Sequence, residues 1–240
     1  MKYETSYVIV AGVAWIRRSR VETSDGRIDD SVWLVTFGGE GVQAHKERAG
    51  DSTIAHGRAG GIDWELDWIA LAPPFATPHG LVRRVAPTRM LTTPALTISG
   101  RVGDRVLDGA PGHTAQLSGR RHARSWGWAH ASTADGRWAH LLTASAPPLP
   151  RASQYATDAR GPGLPLARAS VERSRVSVGP FVVDAPEESF FGLRYLDTDG
   201  SHLWCYHSER AHLRGGDVDF DGAAMEIATR EPILDWPVPA

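Results

Sequence analysis

The chain has 240 residues, of which 42% are hydrophobic and 22% charged, a composition that can bury a sizeable core and excludes a mainly disordered protein. Its 26 basic and 28 acidic side chains leave a formal net charge of -2, which excludes the basic surface that nucleic acid or an anionic membrane would require. Cys205 is the single cysteine, so this sequence can form neither an intrachain disulfide nor a thiolate-rich zinc site. We therefore expect a cytoplasmic protein that does not bind nucleic acid.

The first apolar segment, residues 7–16, is followed at once by Arg17, Arg18 and Arg20. It is shorter than the roughly 20 residues that a membrane-spanning helix needs. A signal peptide would end in small residues at a cleavage site, whereas this segment runs into arginines. We interpret it as a β-strand and expect no stable membrane insertion.

Alternating hydrophobicity predicts β-strands in several later segments. In residues 62–68 the apolar side chains occupy every second position and acidic side chains the positions between, which is typical of a half-buried strand. Residues 31–37 are apolar on both faces and rich in β-branched side chains, which predicts a strand covered on both sides. Residues 96–100 and 174–183 carry weaker strand patterns.

Asp-Gly dipeptides at positions 135–136 and 199–200 separate strand-like segments, and the dipeptide at 25–26 is a further candidate. Asp-Gly tolerates the positive φ of tight hairpin turns, so each predicts a hairpin. Residues 223–230 could form a short helix, although their apolar side chains also alternate as in a strand. Because no strand–helix–strand order is present, we expect an all-β fold.

Two proline-rich segments, residues 72–78 and 146–165, interrupt the chain. Each could be a linker or a long loop over the mouth of a barrel. The strand patterns on both sides are alike, so neither segment by itself fixes a domain boundary.

The densest group of His and Trp residues lies between positions 109 and 140. If residues 125–131 form a strand, Trp126, Trp128 and His130 share one face and only small side chains occupy the other. This asymmetry is typical of a small barrel whose aromatic face fills or lines the interior, with His as a polar group. The alternative is ordinary core packing around a hydrogen-bonded histidine.

A second group follows the Asp-Gly dipeptide at positions 199–200. On a regular strand its members Trp204, Tyr206, Ser208, Arg210 and His212 share one face. Tyr and His can donate or accept protons when an apolar pocket shifts their pKa. The alternative is solvent-exposed polar decoration.

The sequence carries little that predicts a metal centre. His207 and Glu209 have the spacing of half a two-His-one-carboxylate site, but no His-x-His pair and no His-Glu-x-x-His motif occurs. We therefore predict no metal site.

The spacing of Gly112, Gly119, Trp126, Trp128 and the Asp-Gly turn at 135–136 resembles the middle of the carotenoid 1,2-hydratase and kievitone hydratase family. This lipocalin-like family includes related cyclases and Diels-Alderases. Residues 199–209 are similar to its C-terminal half and residues 64–66 to its N-terminal half. The resemblance implies two small lipocalin-like (calycin) antiparallel barrels or barrel halves in tandem, which we place at residues 1–110 and 111–240.

The resemblance also implies a pocket for a hydrophobic small molecule of secondary metabolism, such as a polyketide, terpenoid or polyene. The reaction would be a cyclisation, an isomerisation or the addition or loss of water, directed by shape and proton donation and needing no cofactor. The expected catalytic residues are Gln116, His130 and Tyr206. The expected substrate-binding residues are Ser118, Trp64, Trp126, Trp128 and Trp204. Gln116 and Ser118 stand where the family's hydratases carry His and Trp, which weighs against hydration.

Two other interpretations stay open. A non-catalytic lipocalin-like carrier would use the same pocket, and it would differ from an enzyme in lacking a titratable group among the inward-facing aromatic side chains. A plain β-sandwich interaction protein would have no enclosed cavity. The sequence does not predict an oligomeric state.

Overall fold

The computed structural model describes residues 2–38, 41–77, 88–145, 151–159, 168–233 and 236. Within these residues the chain forms eighteen β-strands and one 3₁₀ turn at Glu187–Ser189, so the all-β prediction is confirmed. The first nine strands are β1 (Lys2–Val10), β2 (Ala14–Glu22), β3 (Ile28–Gly38), β4 (Gly41–Arg48), β5 (His56–Ala59), β6 (Ile62–Ala70), β7 (Phe75–Thr77), β8 (Thr88–Val102) and β9 (Arg105–Gly119). The other nine are β10 (Ser125–Ser132), β11 (Trp138–Ser145), β12 (Ala152–Thr157), β13 (Ala169–Glu172), β14 (Arg175–Val178), β15 (Phe181–Asp184), β16 (Phe191–Leu196), β17 (His202–Gly215) and β18 (Val218–Thr229).

The strands form two antiparallel sheets. The N-terminal sheet has the order β4-β3-β2-β1-β9-β8-β6-β5, with β7 also paired to β8. The C-terminal sheet has the order β12-β11-β10-β18-β17-β15-β14-β13, with β16 also paired to β17. The two ends of the N-terminal sheet approach each other, since the N–H of Gly60 donates a 2.8 Å hydrogen bond to Glu47 on β4. This sheet is a nearly closed barrel.

Both sheets repeat one topology. Each is built on a long hairpin, β8–β9 or β17–β18, and a short strand that precedes it, β7 or β16, pairs with its first half. The C-terminal half of the hairpin's first strand, β8 or β17, pairs with β6 in one sheet and β15 in the other. The strand β1 joins β9 just as β10 joins β18. The prediction of two barrel halves in tandem is confirmed.

The sequence patterns explain which strand faces are buried. On β6, Trp64 and Leu66 lie in the N-terminal core while the acidic side chains between them are exposed. On β3, Val32 and Leu34 pack into that core, whereas Trp33 and Val35 face the C-terminal sheet. The strand is therefore covered on both sides, as its sequence predicts.

The three Asp-Gly turns join β2 to β3, β10 to β11 and β16 to β17. Gly26, Gly136 and Gly200 have φ values of 83°, 85° and 85°, which a β-carbon would disfavour. All three hairpin predictions are confirmed, and residues 223–230 continue as strand through Thr229.

Several boundaries differ from expectation. Residues 7–16 are not one strand: Val10 ends β1, a turn with Gly12 at φ 64° follows, and Ala14 begins β2. Residues 174–183 are also not one strand, because a tight turn with Gly179 at φ 59° divides them between β14 and β15. The domain boundary placed at 110/111 falls inside β9, which belongs wholly to the N-terminal sheet because it pairs with β1 and β8.

The proline-rich segments lie mostly outside the described residues. Of the first, residues 72–77 are described and include β7; of the second, residues 151–159 are described and include β12. No helix in the part of the chain that the structure describes has the length and apolar character to cross a bilayer.

Candidate functional site between the two sheets

The two sheets pack against each other through an apolar cluster to which both contribute. Its buried members include Ile9, Trp15 and Val35 from the N-terminal sheet and Trp128, Leu193, Leu203 and Cys205 from the C-terminal sheet. Each sheet also has its own separate core. The space between the sheets is therefore a third apolar region, with walls from both halves of the chain.

Strand β10 turns its large side chains toward this region. Trp128 lies in the cluster between the sheets, and His130 Nε2 is 2.7 Å from the carbonyl oxygen of Pro94 on β8. On the opposite face, Ala129 lies in the C-terminal core and a β-carbon at Gly127 would be 2.6 Å from Val176. The prediction of a bulky and a small face is confirmed. The prediction that the bulky face fills or lines a barrel interior is wrong, because that face meets the other sheet. The small face is the one directed toward the C-terminal core, where β14 packs closely against Gly127.

A carboxyl group lies among these aromatic rings. Glu226, on β18, accepts a hydrogen bond from the indole N–H of Trp126. Its Oε2 is 3.2 Å from Nδ1 of His207, although the imidazole is not oriented for a hydrogen bond to any described group through that nitrogen. The other imidazole nitrogen, Nε2, is 3.0 Å from the hydroxyl of Tyr195.

The N-terminal sheet supplies a positive charge to the same place. The guanidinium carbon of Arg17 lies 3.4 Å from the ring centroid of Tyr195, a cation–π contact between β2 and β16. We call Glu226, Trp126, His207, Tyr195 and Arg17 the Glu226 site. Its residues come from five strands and from both sheets.

Burial controls the protonation of this site. It raises the pKa of Glu226 to about 7, against the lowering effects of Arg17 and of the Trp126 hydrogen bond. Burial also holds the pKa of His207 well below its usual value, helped by the positive charge of Arg17. At neutral pH the carboxyl therefore exists in both protonation states while the imidazole is neutral.

The Glu226 site retains some access. The side chain of Glu226 keeps 15% of its surface exposed, although His207 beside it is fully buried. Tyr7, Arg17 and Trp126 are also only partly buried. The carboxyl group is therefore not completely enclosed by the protein.

Aromatic rings connect this site to a group of histidines. The ring of Trp15 lies 4.1 Å from that of His207 and 6.1 Å from that of Trp128. Trp128 in turn lies 5.5 Å from His113 and 6.1 Å from His140. We call His113, His130 and His140 the histidine cluster.

All three members of the histidine cluster are almost fully buried. Burial lowers the pKa of each, to about 3 for His130, so all three are neutral at neutral pH. Among the described residues, no group of His, Cys, Asp and Glu side chains has a geometry that would hold a metal ion.

The segment between β9 and β10, which connects the two sheets, is held beside Trp126 by several contacts. His122 stacks on Tyr3 at 3.8 Å, and its Nδ1 lies 2.8 Å from a carboxylate oxygen of Asp197. Asp197 also forms an ion pair with Arg230 and accepts hydrogen bonds from the backbone N–H groups of His122 and Thr198. These contacts fix the segment that leads from β9 to β10.

The structure places the sequence-predicted residues in different regions. Trp126, Trp128 and His130 meet between the sheets. Gln116 and Ser118, by contrast, are exposed side chains on β9. Trp64 lies in the N-terminal core, where its indole N–H donates to the carbonyl of Thr53.

The remaining two predicted residues face the C-terminal core. Tyr206 is buried there, and its hydroxyl accepts a hydrogen bond from the N–H of Ile233. Trp204 packs against the same core, and Arg194 lies over its ring. Neither side chain reaches the Glu226 site.

The expected common face of β17 is also interrupted. Between Ser208 and Ala211 the strand carries one residue more than β18, a β-bulge that reverses the alternation. Tyr206 and Ala211 therefore both face the C-terminal core, while Arg210 is exposed. The prediction that all five side chains from 204 to 212 share one face is wrong beyond the bulge.

Sequence reasoning did not identify Glu226, Arg17, Tyr195 or the position of His207. A detectable signal exists only for Glu226, a single charge within the small and apolar residues 223–228. Arg17 belongs to a run of arginines that is expected to be solvated. Its burial depends on pairing with a sheet that lies more than a hundred residues further along the chain.

No protein-family model matches the chain. Two similar curated proteins are the uncharacterized proteins MT0513 and Rv0493c from two strains of Mycobacterium tuberculosis, each 27% identical over 184 residues. The match covers 65% of this chain and 56% of each relative, so the chain spans little more than half the length of these relatives. Neither name states an activity.

The chain is also similar to a crystal structure of a "putative AttH" from Nitrosomonas europaea. The TM-score is 0.49 and the identity 13%, with 95% of this chain and 91% of that chain covered. None of these similar proteins is named a carotenoid hydratase, and the resemblance to that family stays a prediction.

Proposed function

We propose that the protein is a cofactor-independent enzyme that cyclises, isomerises, hydrates or dehydrates a hydrophobic small molecule between its two sheets. The observation that carries this proposal is Glu226, a partly accessible carboxyl group among aromatic rings whose pKa is raised by burial to about 7. A general acid or base works best when its pKa lies near the working pH. Polyketides, terpenoids and polyenes are substrates of suitable polarity for such a site.

The contacts of Glu226 suit proton donation. When the carboxyl gives up its proton, the Trp126 hydrogen bond and the charge of Arg17 both stabilise the carboxylate that remains. The Nδ1 atom of His207 lies 3.2 Å from the second carboxyl oxygen without the orientation of a hydrogen bond, and this imidazole is neutral at neutral pH. Burial therefore favours the protonated acid, whereas Trp126 and Arg17 favour the carboxylate that forms when the proton is given up.

The surrounding rings suit the charge that protonation creates. A proton added to an alkene or a carbonyl oxygen leaves a positive charge on the substrate, and the faces of Trp15 and Trp128 can stabilise it. Loss of a proton to Glu226 after ring closure or rearrangement completes a cyclisation or isomerisation and restores the acid. Capture of the cation by water, followed by loss of the extra proton to the Glu226 carboxylate, instead completes a hydration.

A non-catalytic carrier is the alternative that this site disfavours. A carrier of an apolar ligand gains nothing from a carboxyl group in its binding space, because burying that group costs free energy. The titratable group that separates the two interpretations is the carboxyl group of Glu226, which lies among four polar or charged neighbours.

The test is a panel of polyenes, polyketides and terpenoids, with binding followed by tryptophan fluorescence and products by mass spectrometry and NMR. We expect saturable quenching by at least one compound and conversion to a product of unchanged mass or of a mass changed by one water. Glu226→Gln keeps the shape and should retain binding but lose at least about 100-fold in turnover. Ligands recovered intact across the panel, or full turnover by Glu226→Gln, would contradict the proposal.

A further inference from the structure

The repeated topology creates a second position equivalent to the Glu226 site. Trp128 pairs with Glu226 between β10 and β18, just as Tyr7 pairs with Ala115 between β1 and β9. His207 lies opposite Glu226, and Thr92 lies opposite Ala115. The counterpart of the Glu226 site is therefore centred on Thr92 and Ala115, on the N-terminal hairpin.

The aromatic walls of the two positions also correspond. Phe191 pairs with His207 and Phe75 pairs with Thr92. By the same register, Trp15 on β2 corresponds to His140 on β11. Trp15 meets Phe191 edge to face at 6.5 Å, and His140 meets Phe75 edge to face at 5.1 Å.

Buried polar atoms without partners gather at this second position. Nε2 of His113, Nε2 of His140 and Oγ1 of Thr92 and of Thr77 have no hydrogen-bond partner within the described part of the chain. These four residues are at most 2% exposed. Unpaired polar groups in such surroundings are unfavourable, so the arrangement indicates an occupant that supplies partners.

The hydrogen-bond network determines what that occupant must offer. His130 Nε2 is 2.7 Å from the carbonyl oxygen of Pro94, which can only accept, so Nε2 carries the proton of His130. The unprotonated Nδ1 of His130 is 3.4 Å from Nδ1 of His140, which must therefore donate. This assignment leaves Nε2 of His140 as a buried acceptor that faces no donor among the described residues.

We propose that the histidine cluster is a second binding subsite, in which Nε2 of His140 accepts a hydrogen bond from the hydroxyl group of an otherwise apolar ligand. Thr92 and His113 offer additional polar contacts to the same group, and Phe75 and Trp138, whose rings stack at 5.3 Å, form an aromatic wall. The inference deepens the proposed function, since the hydroxyl would belong to the same substrate. An alcohol or phenol and a free water share the required O–H donor, and the subsite is assigned here to the alcohol or phenol.

The test compares 2-naphthol with 2-methoxynaphthalene, which has a similar shape but no O–H donor, by calorimetric titration of the full chain. We expect 2-naphthol to bind about tenfold more tightly, the effect of one additional hydrogen bond. His140→Phe should reduce this preference to about one, whereas His56→Phe, at an exposed histidine on β5, should preserve it. Three results would each overturn the proposal: equal binding of the two probes, no saturable binding of 2-naphthol, or a preference that survives in His140→Phe. Nε2 of His140 would then be a site for water only.

A second measurement is independent of the variants. Long-range ¹H–¹⁵N NMR spectra of the wild-type protein should place the proton of His130 on Nε2 and that of His140 on Nδ1, and 2-naphthol should shift the Nε2 resonance of His140. A proton on Nε2 of His140 would overturn the proposal. Because these tests measure binding at His140 and not turnover, they can fail while the role of Glu226 stands, and the reverse is equally distinguishable.

Discussion

At the scale of single residues, the behaviour of Glu226 follows from two opposing effects. Burial disfavours the carboxylate and raises the pKa, while Arg17 and the Trp126 hydrogen bond favour the carboxylate and limit the rise. Arg17 is held in place by its contact with the ring of Tyr195. The pKa of the carboxyl group is therefore controlled by a side chain from the other sheet.

Replacement of that side chain gives a direct prediction. In Arg17→Met the apolar stem is kept and the charge is lost, so the pKa of Glu226 should rise by roughly one further pH unit. Titration of ¹³C-labelled glutamate carboxyl groups by NMR measures the change. Arg20→Met, at an exposed arginine 3.9 Å from Asp30, is the matched control and should leave Glu226 unchanged. A pKa of Glu226 that is the same in both variants would refute the assigned role of Arg17.

At the scale of elements, β10 separates the two apolar regions that it borders. Its small face lies against β14, and its large face contributes Trp128 to the space between the sheets. The positioning of Trp126 and Trp128 therefore depends on close packing behind them. This packing is tightest at Gly127, where an added β-carbon would meet both methyl groups of Val176 at 2.6 and 3.0 Å.

We accordingly expect Gly127→Ala to destabilise the protein by about 1–3 kcal/mol, because the branched side chain of Val176 cannot move aside without repacking. Gly38→Ala, where a β-carbon meets nothing within 4 Å, should change stability by less than about 0.5 kcal/mol. Thermal unfolding of the two variants measures both changes in stability. Equal stability would mean that the small face of β10 does not lie against β14.

The sequence predicts the elements better than it predicts the site. Alternation identifies strands and groups Trp126, Trp128 and His130 on one face, because the side-chain period of a strand is two residues. It does not say which of two apolar regions that face meets, and the bulge after Ser208 reverses the alternation without a local signal. The Glu226 site joins β2, β10, β16, β17 and β18, so its members are neighbours only after both sheets have formed and packed.

At the scale of the whole molecule, the contacts of Asp197 hold the two halves in register. The carboxylate binds His122 in the connector and Arg230 after β18, and the neighbouring Thr198 accepts a backbone hydrogen bond from Ser24 in the β2–β3 turn. Burial opposes the charge of Asp197, but the hydrogen bonds from His122 and Thr198 prevail and hold its pKa well below the usual value. The ionised form is therefore the one that stabilises the fold.

The stability that Asp197 contributes depends on pH. A lowered pKa in the folded state means that the contribution of Asp197 is present above the unfolded-state value, near pH 4, and is lost as the pH falls further. Asp197→Asn should cost about 3 kcal/mol at pH 7, and the difference from wild type should shrink below pH 4. Urea unfolding at pH 7 and pH 3 measures both values. Asp25→Asn, in the exposed Asp-Gly turn after β2, should have little effect, and a penalty for Asp197→Asn that does not depend on pH would argue against this linkage.

The most direct test of the proposed chemistry is the titration of the Glu226 carboxyl group in the wild-type protein by ¹³C NMR, with Glu226→Gln to assign the resonance. We expect a pKa near 7, and we expect an apolar ligand that enters between the sheets to shift it upward by excluding the remaining water. A carboxyl group that titrates near 4.5 and does not respond to any ligand would contradict the account, because it would be ionised at neutral pH and unable to donate a proton.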